Sequence, residues 1–463
     1  MGPGRAVAMV LAVAMGARPE RAPAPGFVRK AAALLLSAAV SVSVPAPAAA
    51  DTRAARSAEA AEPYETARDA RPVTGATTGE GPLLTPGTYL DDISAGERKT
   101  YRIRLDGTSS AYVSAVLAPP PGTRVTASEG IRITLKSQGG TECSDGTDIT
   151  FDGSVARPVA DYATRRIGPG RACQEAGVYE YAVEGIGPGA GPDTAGDAGS
   201  GTRGLPTELR FMLEPGLRDG EDVPAPAGSS GQGTSALPSG TARTASGGSG
   251  FNDAPATGHG VWQDELAPGE TRFYRMPVDW GQQLRLGASL GGRTSGAGLR
   301  MTVFNPARGF VRDADADADG ARPGRALALT TAPVAFGNRT SGRNETGAMR
   351  FSGWYYVRLT RDGDGGTGAA ERVTLRVAVT GSARPAPPYA GDPVAAGFGV
   401  TAADRRAAGT GLTAQESDRR DTLRTVAFAA FGLGTALLIG LVAWTVLLRR
   451  SLARTAPGPS PWN

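Results

Sequence analysis

The run from Thr425 to Leu448, TVAFAAFGLGTALLIGLVAWTVLL, holds 24 residues without one charged side chain. As a helix rising about 1.5 Å per residue it reaches roughly 36 Å, enough to cross a hydrocarbon core of about 30 Å with some tilt. A soluble core helix seldom needs so long an uncharged run. Arg449, Arg450 and Arg454 follow at once, whereas Asp418 and Asp421 offset much of Arg419, Arg420 and Arg424 on the other side. The more positive flank is C-terminal. The positive-inside rule therefore makes residues 449–463 a cytoplasmic tail and puts everything before residue 425 outside. The expected location is the plasma membrane, spanned once. Gly432, Ala436 and Gly440 fall four apart along the segment. Small residues on one face let two such helices approach closely, so a homodimer through this helix is the alternative to a lone span.

The opposite end carries a second apolar signal. Arg29 and Lys30 precede the run Ala31 to Val44, and Ala48-Ala49-Ala50 follows it. That order of charge, short apolar stretch and small residues predicts an export signal over 1–50, cleaved before Asp51. An uncleaved first membrane helix is the alternative, and an earlier apolar stretch, Ala6 to Ala17, suggests a start at Met9 or Met15. Charge now separates cleanly. Residues 1–50 carry +4 and those after 448 carry +3 against a formal total of +4, which leaves −3 for the intervening part. No basic face for nucleic acid is expected. Only Lys30, Lys99 and Lys136 among the 49 basic residues are lysine, and Gly (66) and Pro (35) are abundant. That bias fits GC-rich, actinobacterial-type coding.

Between the two apolar segments the pattern is short period-two runs. GTYLDDISAGERKTYRIRL, Gly87 to Leu105, aligns with GVWQDELAPGETRFYRMPV, Gly260 to Val278, at a constant offset of 173. Asp91 meets Asp264, Gly96-Glu97 meets Gly269-Glu270, and Tyr101-Arg102 meets Tyr274-Arg275. Three later pairs keep the order: IRITLKS (131–137) with LRMTVFN (299–305), GVYEYAVE (177–184) with GWYYVRLT (353–360), and ELRFML (208–213) with TLRVAV (374–379). Four blocks in one order predict an internal duplication. Each copy holds five to eight short β runs separated by Gly, Pro and Asp, which predicts a sandwich or jelly roll. The fold class expected is an all-β ectodomain of two tandem β-sandwich or jelly-roll-like domains, with one C-terminal transmembrane helix.

The candidate core of the first copy includes Tyr101, Ile103, Leu105, Val113, Ile131, Ile133, Leu135, Tyr179, Tyr181, Val183, Leu209 and Phe211. That of the second includes Phe273 or Tyr274, Leu284, Leu286, Met301, Val303, Tyr355, Val357, Leu359, Leu375 and Val377. The domains run 82–214 and 258–381. A disordered leader over 51–81, a Gly/Ser/Pro linker over 215–257 and a stalk over 382–424 flank them. A flexible linker of that length spans roughly 35 Å, so the copies are expected to move independently.

The opening motif is carried by Ile93, Gly96, Glu97, Tyr101 and Arg102, and again by Leu266, Gly269, Glu270, Tyr274 and Arg275. The closing motif is carried by Gly177, Tyr179 and Val183, and by Gly353, Tyr355 and Leu359. Together they resemble the bacterial pre-peptidase C-terminal domain over roughly 270 residues in two pieces. The resemblance implies small β-sandwich modules, found on exported enzymes and surface proteins, with no catalytic residues to carry over. No peptidase domain adjoins them in this chain.

Cys143 and Cys173 are the only cysteines. An even pair in an exported chain predicts a disulfide. Asp315, Asp317, Asp319 and Gly320 match the start of a calcium loop, but Ala326 stands where a bidentate Glu is needed. A solvated acidic loop is expected there, with Ca2+ as the alternative; no other cofactor is expected. His259 is the only histidine and lies in a linker, so no histidine-based triad or metal site is expected. The pairs Asp91-Asp92 and Asp264-Glu265 could serve glycoside hydrolysis, but their recurrence in both copies points to a structural turn. The expected function is non-enzymatic binding or bracing of an envelope component, a glycan or another envelope protein. An accessory subunit of a membrane complex is the alternative, and an envelope hydrolase is the third possibility.

Overall fold

The computed structural model describes residues 62–144, 148–151, 153, 155–187, 204–218, 236–291, 298–315, 326–363 and 368–453. The expected export signal, Asp317, Asp319 and the end of the tail lie outside the described residues.

The first half contributes β1 (Arg71–Pro72), β2 (Leu83–Leu84), β3 (Gly87–Ile93), β4 (Arg98–Leu105), β5 (Ser110–Leu117), β6 (Gly130–Ser137), β7 (Asp148–Thr150), β8 (Val159–Arg165), β9 (Gly177–Ile186) and β10 (Leu205–Glu214). The second half contributes β11 (Arg243–Thr244), β12 (Gly260–Leu266), β13 (Thr271–Val278), β14 (Gln283–Leu290), β15 (Leu299–Phe304), β16 (Phe310–Asp315), β17 (Leu327–Thr330), β18 (Gly353–Arg361) and β19 (Glu371–Thr380). A 3-10 turn (Phe336–Thr340), α1 (Asn344–Ala348), α2 (Ala402–Ala407) and α3 (Ala414–Ala453) complete the described elements.

The strands form four sheets. The orders β1-β3-β10-β5-β8 and β2-β4-β9-β6-β7 build the first sandwich; β11-β12-β19-β14-β17 and β13-β18-β15-β16 build the second. The second pair of orders repeats the first strand for strand, and the β2 pairing with β4 returns there as a single parallel bridge between Ala256 and Arg275. All long pairings are antiparallel, and the parallel pairs belong to the two-residue strands β1, β2 and β11. In β4, alternate residues Lys99, Tyr101, Ile103 and Leu105 are buried, the pattern of a strand with one dry and one wet face. The first core gathers every candidate named above for that copy. In the second copy Tyr274 turns inward and Phe273 turns outward.

The duplicated motif is a hydrogen-bond device. Asp91 accepts from the Tyr101 hydroxyl (2.7 Å) and the Gly75 amide (2.7 Å). Asp264 accepts from the Tyr274 hydroxyl (2.8 Å) and the Gly247 amide (2.7 Å). Glu97 and Glu270 each accept from the amide three residues back, Ser94 and Ala267, around Gly96 (φ 73°) and Gly269 (φ 76°). Each carboxylate ties a flanking segment to a strand and satisfies a buried phenol that would otherwise be costly to desolvate. Tyr179 and Tyr355 each donate to the carbonyl four residues back, Glu175 and Phe351.

The described parts of the flanking segments, 62–81, 236–257 and 382–424, are packed where the sequence pattern suggests a leader, a linker and a stalk. Within the expected leader, Val73 and Ala76 bond along Leu90 and Thr100. Within the expected linker, Phe251, Ala254 and Ala256 are buried. Within the expected stalk, Tyr389 and Phe398 join the second core. Both sandwiches belong to one compact unit. Gly, Pro and Ser content reads as flexibility only when the backbone groups go unpaired. Here they bond: Gly248 pairs with Phe273, and Ala390 donates to the Gly216 carbonyl at 2.8 Å.

Cys143 and Cys173 form a disulfide with Cα atoms 5.3 Å apart, closing a separation of 30 residues. Constraining the unfolded chain over that loop stabilises by about 3–4 kcal/mol. The Cys143→Ser/Cys173→Ser variant is expected to lose stability of that order, read as a lower denaturant midpoint with a steeper slope, because the unbridged unfolded chain exposes more surface.

Candidate functional site

The alternation that builds each core fails at one place, and the failure locates an interface. All eight residues of β5, SAYVSAVL, are buried. Val113, Ala115 and Leu117 line their own core. Tyr112 and Val116, on the opposite face, pack with residues of the second sandwich. The sheet containing β5, β8 and β10 lies against the outward face of the sheet containing β13, β15 and β18. The four sheets therefore stack, and the two inner ones share a seam.

Phe251 plugs that seam, with ring centroids 4.9 Å from Phe273, 5.3 Å from Phe304 and 5.1 Å from Tyr356. Aromatic pairs at such spacing add stability beyond buried area. Tyr112 meets Phe351 at 5.1 Å and Phe398 at 5.4 Å. Gly309 lies so close to the Tyr162 ring that a Cβ there would stand 2.2 Å from it, so a larger residue fits only if that ring shifts.

Two carboxylates of β10, Glu208 and Glu214, are six residues apart and so project from the same face. Both are at most 1% exposed. Glu208 pairs with buried Arg308, and it also accepts from the Ala67 amide (2.8 Å) and the Asn252 side chain (2.9 Å). Arg308 in turn donates to Asn252 at 2.9 Å. Burial works against the charge of Glu208, but Arg308 and these donors outweigh it and hold the carboxyl below its ordinary range. Burial likewise opposes the Arg308 charge, and Glu208 reverses the balance, raising it. Glu214 accepts from Arg339 (2.8 Å), the Tyr112 hydroxyl (2.7 Å) and the Tyr389 hydroxyl (2.6 Å). Asp161 accepts the amides of Tyr162 (2.9 Å) and, across the seam, Phe310 (3.0 Å). Desolvation pushes Asp161 up to about 6 against those bonds and Arg350.

The residues singled out from sequence sit elsewhere. Asp315 ends β16, and its companions Asp317 and Asp319 lie outside the described residues. Among the described residues no three His, Cys, Asp or Glu side chains group as a metal site. An open recess of about 510 Å³ is lined by Glu62, Glu65, Asp253, Glu416 and Arg419 among others, but Asp253 is engaged by its own loop, accepting from Ser249 and Gly250. His259 is exposed. Gly432, Ala436 and Gly440 lie on α3, with open space beside both glycines. Asp91 and Asp264 hold up the fold, as described above. Sequence reasoning missed Glu208, Glu214, Arg308 and Arg339. Their one sequence signal is adjacent large apolar pairs, Tyr112-Val113, Phe273-Tyr274 and Tyr355-Tyr356, which claim both faces of a strand.

No family model matches the chain, and no curated protein matches it. Solved structures give remote likenesses. The pre-peptidase C-terminal domain of collagenase from Bacillus anthracis is 8% identical over 30% of this chain and 99% of that one, with a TM-score of 0.18. The ANX2 ectodomain from Arabidopsis thaliana is 10% identical over 66% and 92%, with a TM-score of 0.16. The tandem CBM51 modules of the family 98 glycoside hydrolase from Streptococcus pneumoniae are 8% identical over 63% and 83%, with a TM-score of 0.16.

Two outcomes follow from the seam. Arg308→Met strands a buried carboxylate and is expected to lose about 3–5 kcal/mol, whereas Glu208→Gln/Arg308→Met loses less than its two single changes together; chemical denaturation in detergent reads both. For Asp161, the folded value is raised, so the charged form burdens the fold above pH about 6 and the burden lifts as pH falls toward the ordinary carboxyl range. Asp161→Asn should be more stable than the parent at pH 7.5, with the gap closing near pH about 4, measured by melting temperature across pH.

Proposed function

We propose that this chain is a non-enzymatic, single-pass surface protein whose two β-sandwich modules, two copies of one pre-peptidase C-terminal-like unit, bind or brace an envelope glycan or protein. The carrying observation is the way the β body is tied to the root of α3. That helix runs 40 residues, Ala414–Ala453, with a mean hydropathy of 2.3 in its most apolar window and none of that window buried. Residues 425–448 would fill the hydrocarbon, leaving 414–424, about 16 Å of helix, above it. Just before the helix, Ala256 donates to the Leu412 carbonyl at 2.7 Å, Gly411 to the Ala256 carbonyl at 3.0 Å, and Gly258 to the Ala408 carbonyl at 2.5 Å. Capping boxes close both helix starts: Thr401 with Asp404, and Thr413 with Glu416. An uncovered apolar helix joined to a docked β body fits a protein that holds a binding surface at fixed height over a membrane. One carboxylate of each pair that could have suggested hydrolysis, Asp91 and Asp264, is occupied by phenol and amide donors, which favours binding over catalysis.

The test is protease treatment of intact cells carrying a C-terminal epitope, followed by sedimentation of the full chain, in detergent, with purified wall glycan. Loss of the β body with the epitope protected supports the orientation, and saturable co-sedimentation supports the glycan role. Protection of the β body overturns the orientation. Retention on a single stoichiometric envelope protein without glycan would make the protein the partner.

A further inference from the structure

One end of the seam carries more positive charge than the fold needs. The loop from Arg166 to Ala176 joins β8 to β9 and leans across to the second sandwich. There Arg166 (3.2 Å) and Arg171 (3.0 Å) both donate to one acceptor, the carbonyl of Arg339. Both arginines are part-exposed. Among the described residues neither meets a carboxylate. Behind them lie Arg339, held by Glu214, and Arg350, which is 3% exposed and bonds the Tyr162 hydroxyl while its Nε has no partner. Among the described residues Glu214 is the one carboxylate bonded to any of the four, and Asp161 lies within reach of the Arg350 charge. Like charges gathered this way repel. Burial, Arg350 and Arg171 together push Arg166 down to about 10. Arg165, the last residue of β8, donates to four carbonyls, those of Ser109, Cys173, Gln174 and Glu175, which fixes the loop that aims the two arginines.

We propose that this end of the seam is an anion site for a phosphate group, gripped by Arg166 and Arg171 with Arg339 and Arg350 supplying the positive field behind them. A guanidinium presents planar, paired donors that match a phosphate's oxygens, and it keeps most of them unused when it bonds a single carbonyl. The phosphate could come from the free ion or from a phosphodiester polymer of the envelope. The site itself does not depend on the surface role proposed above; only the polymeric source does.

The test is calorimetric titration of the full chain in a phosphate-free maltoside detergent at fixed ionic strength, with inorganic phosphate in one arm and a poly(glycerol phosphate) chain in the other. Saturable binding is expected, weakened about tenfold or more in Arg166→Gln/Arg171→Gln. Arg166→Lys/Arg171→Lys, which keeps the charge and loses the fork, should fall between the two. Melting temperature and the intact Cys143–Cys173 bridge report that each variant is folded, and Arg98→Gln, on the far sheet, should bind as the parent does. Tighter binding of the polymer supports the envelope source, and equal binding supports the free ion as ligand. Absence of saturable binding in both arms, or parent-like affinity in the double glutamine variant, overturns the site.

Discussion

Burying Glu208 against Arg308 constrains everything around it. An ion pair removed from water gains little unless its remaining lone pairs and protons are also satisfied, and breaking it strands a charge. Ala67 and Asn252 fill most of that requirement, and the Arg308 Nε is left without a partner. These come from segments outside the two sandwiches proper, one before β1 and one before β12. The pair therefore fixes the two sheets it joins and also the chain that passes over them. Arg308 itself adopts φ 65°, a conformation that costs a non-glycine residue of order 1 kcal/mol. The turn is held by Asn305, whose side-chain oxygen accepts from Ala307 and Gly309 at 3.0 Å each.

The two sandwiches share a skeleton but differ where they face one another. Asp91 with Tyr101 and Asp264 with Tyr274 do the same structural work. The disulfide has no counterpart: the first copy closes its loop with Cys143 and Cys173, while in the second the 3-10 turn and α1 bring Met349 and Phe351 into the core. On the outward faces of β5 and β18, Tyr112, Val116 and Tyr356 are buried in clusters that reach across the seam. A single module of this topology would leave both wet.

This explains how far the sequence could be read. Period two reports burial on one face, and it located each sandwich core, from Tyr101 and Ile103 to Val357 and Leu375. It cannot report a second buried face, which is why Phe273 and Tyr274 competed for one place and both turned out buried, in different clusters. Nor can composition distinguish a Gly-rich tether from a Gly-rich strap. Gly248 and Gly258 look alike in a string of small residues, yet their amides are bonded to Phe273 and Ala408. The buried charges were illegible for a different reason. Glu208 and Arg308 lie 100 residues apart, and nothing local to either marks it as paired.

The bonds between residues 256–258 and 408–412 have a mechanical meaning. A tether converts a pull on its far end into extension and passes on little else. A strapped root gives the β body no such slack, so a sideways load on the outermost sheet arrives at α3 as torque. The body acts as a lever arm with its fulcrum at Leu412, and tilt at one end is tilt at the other.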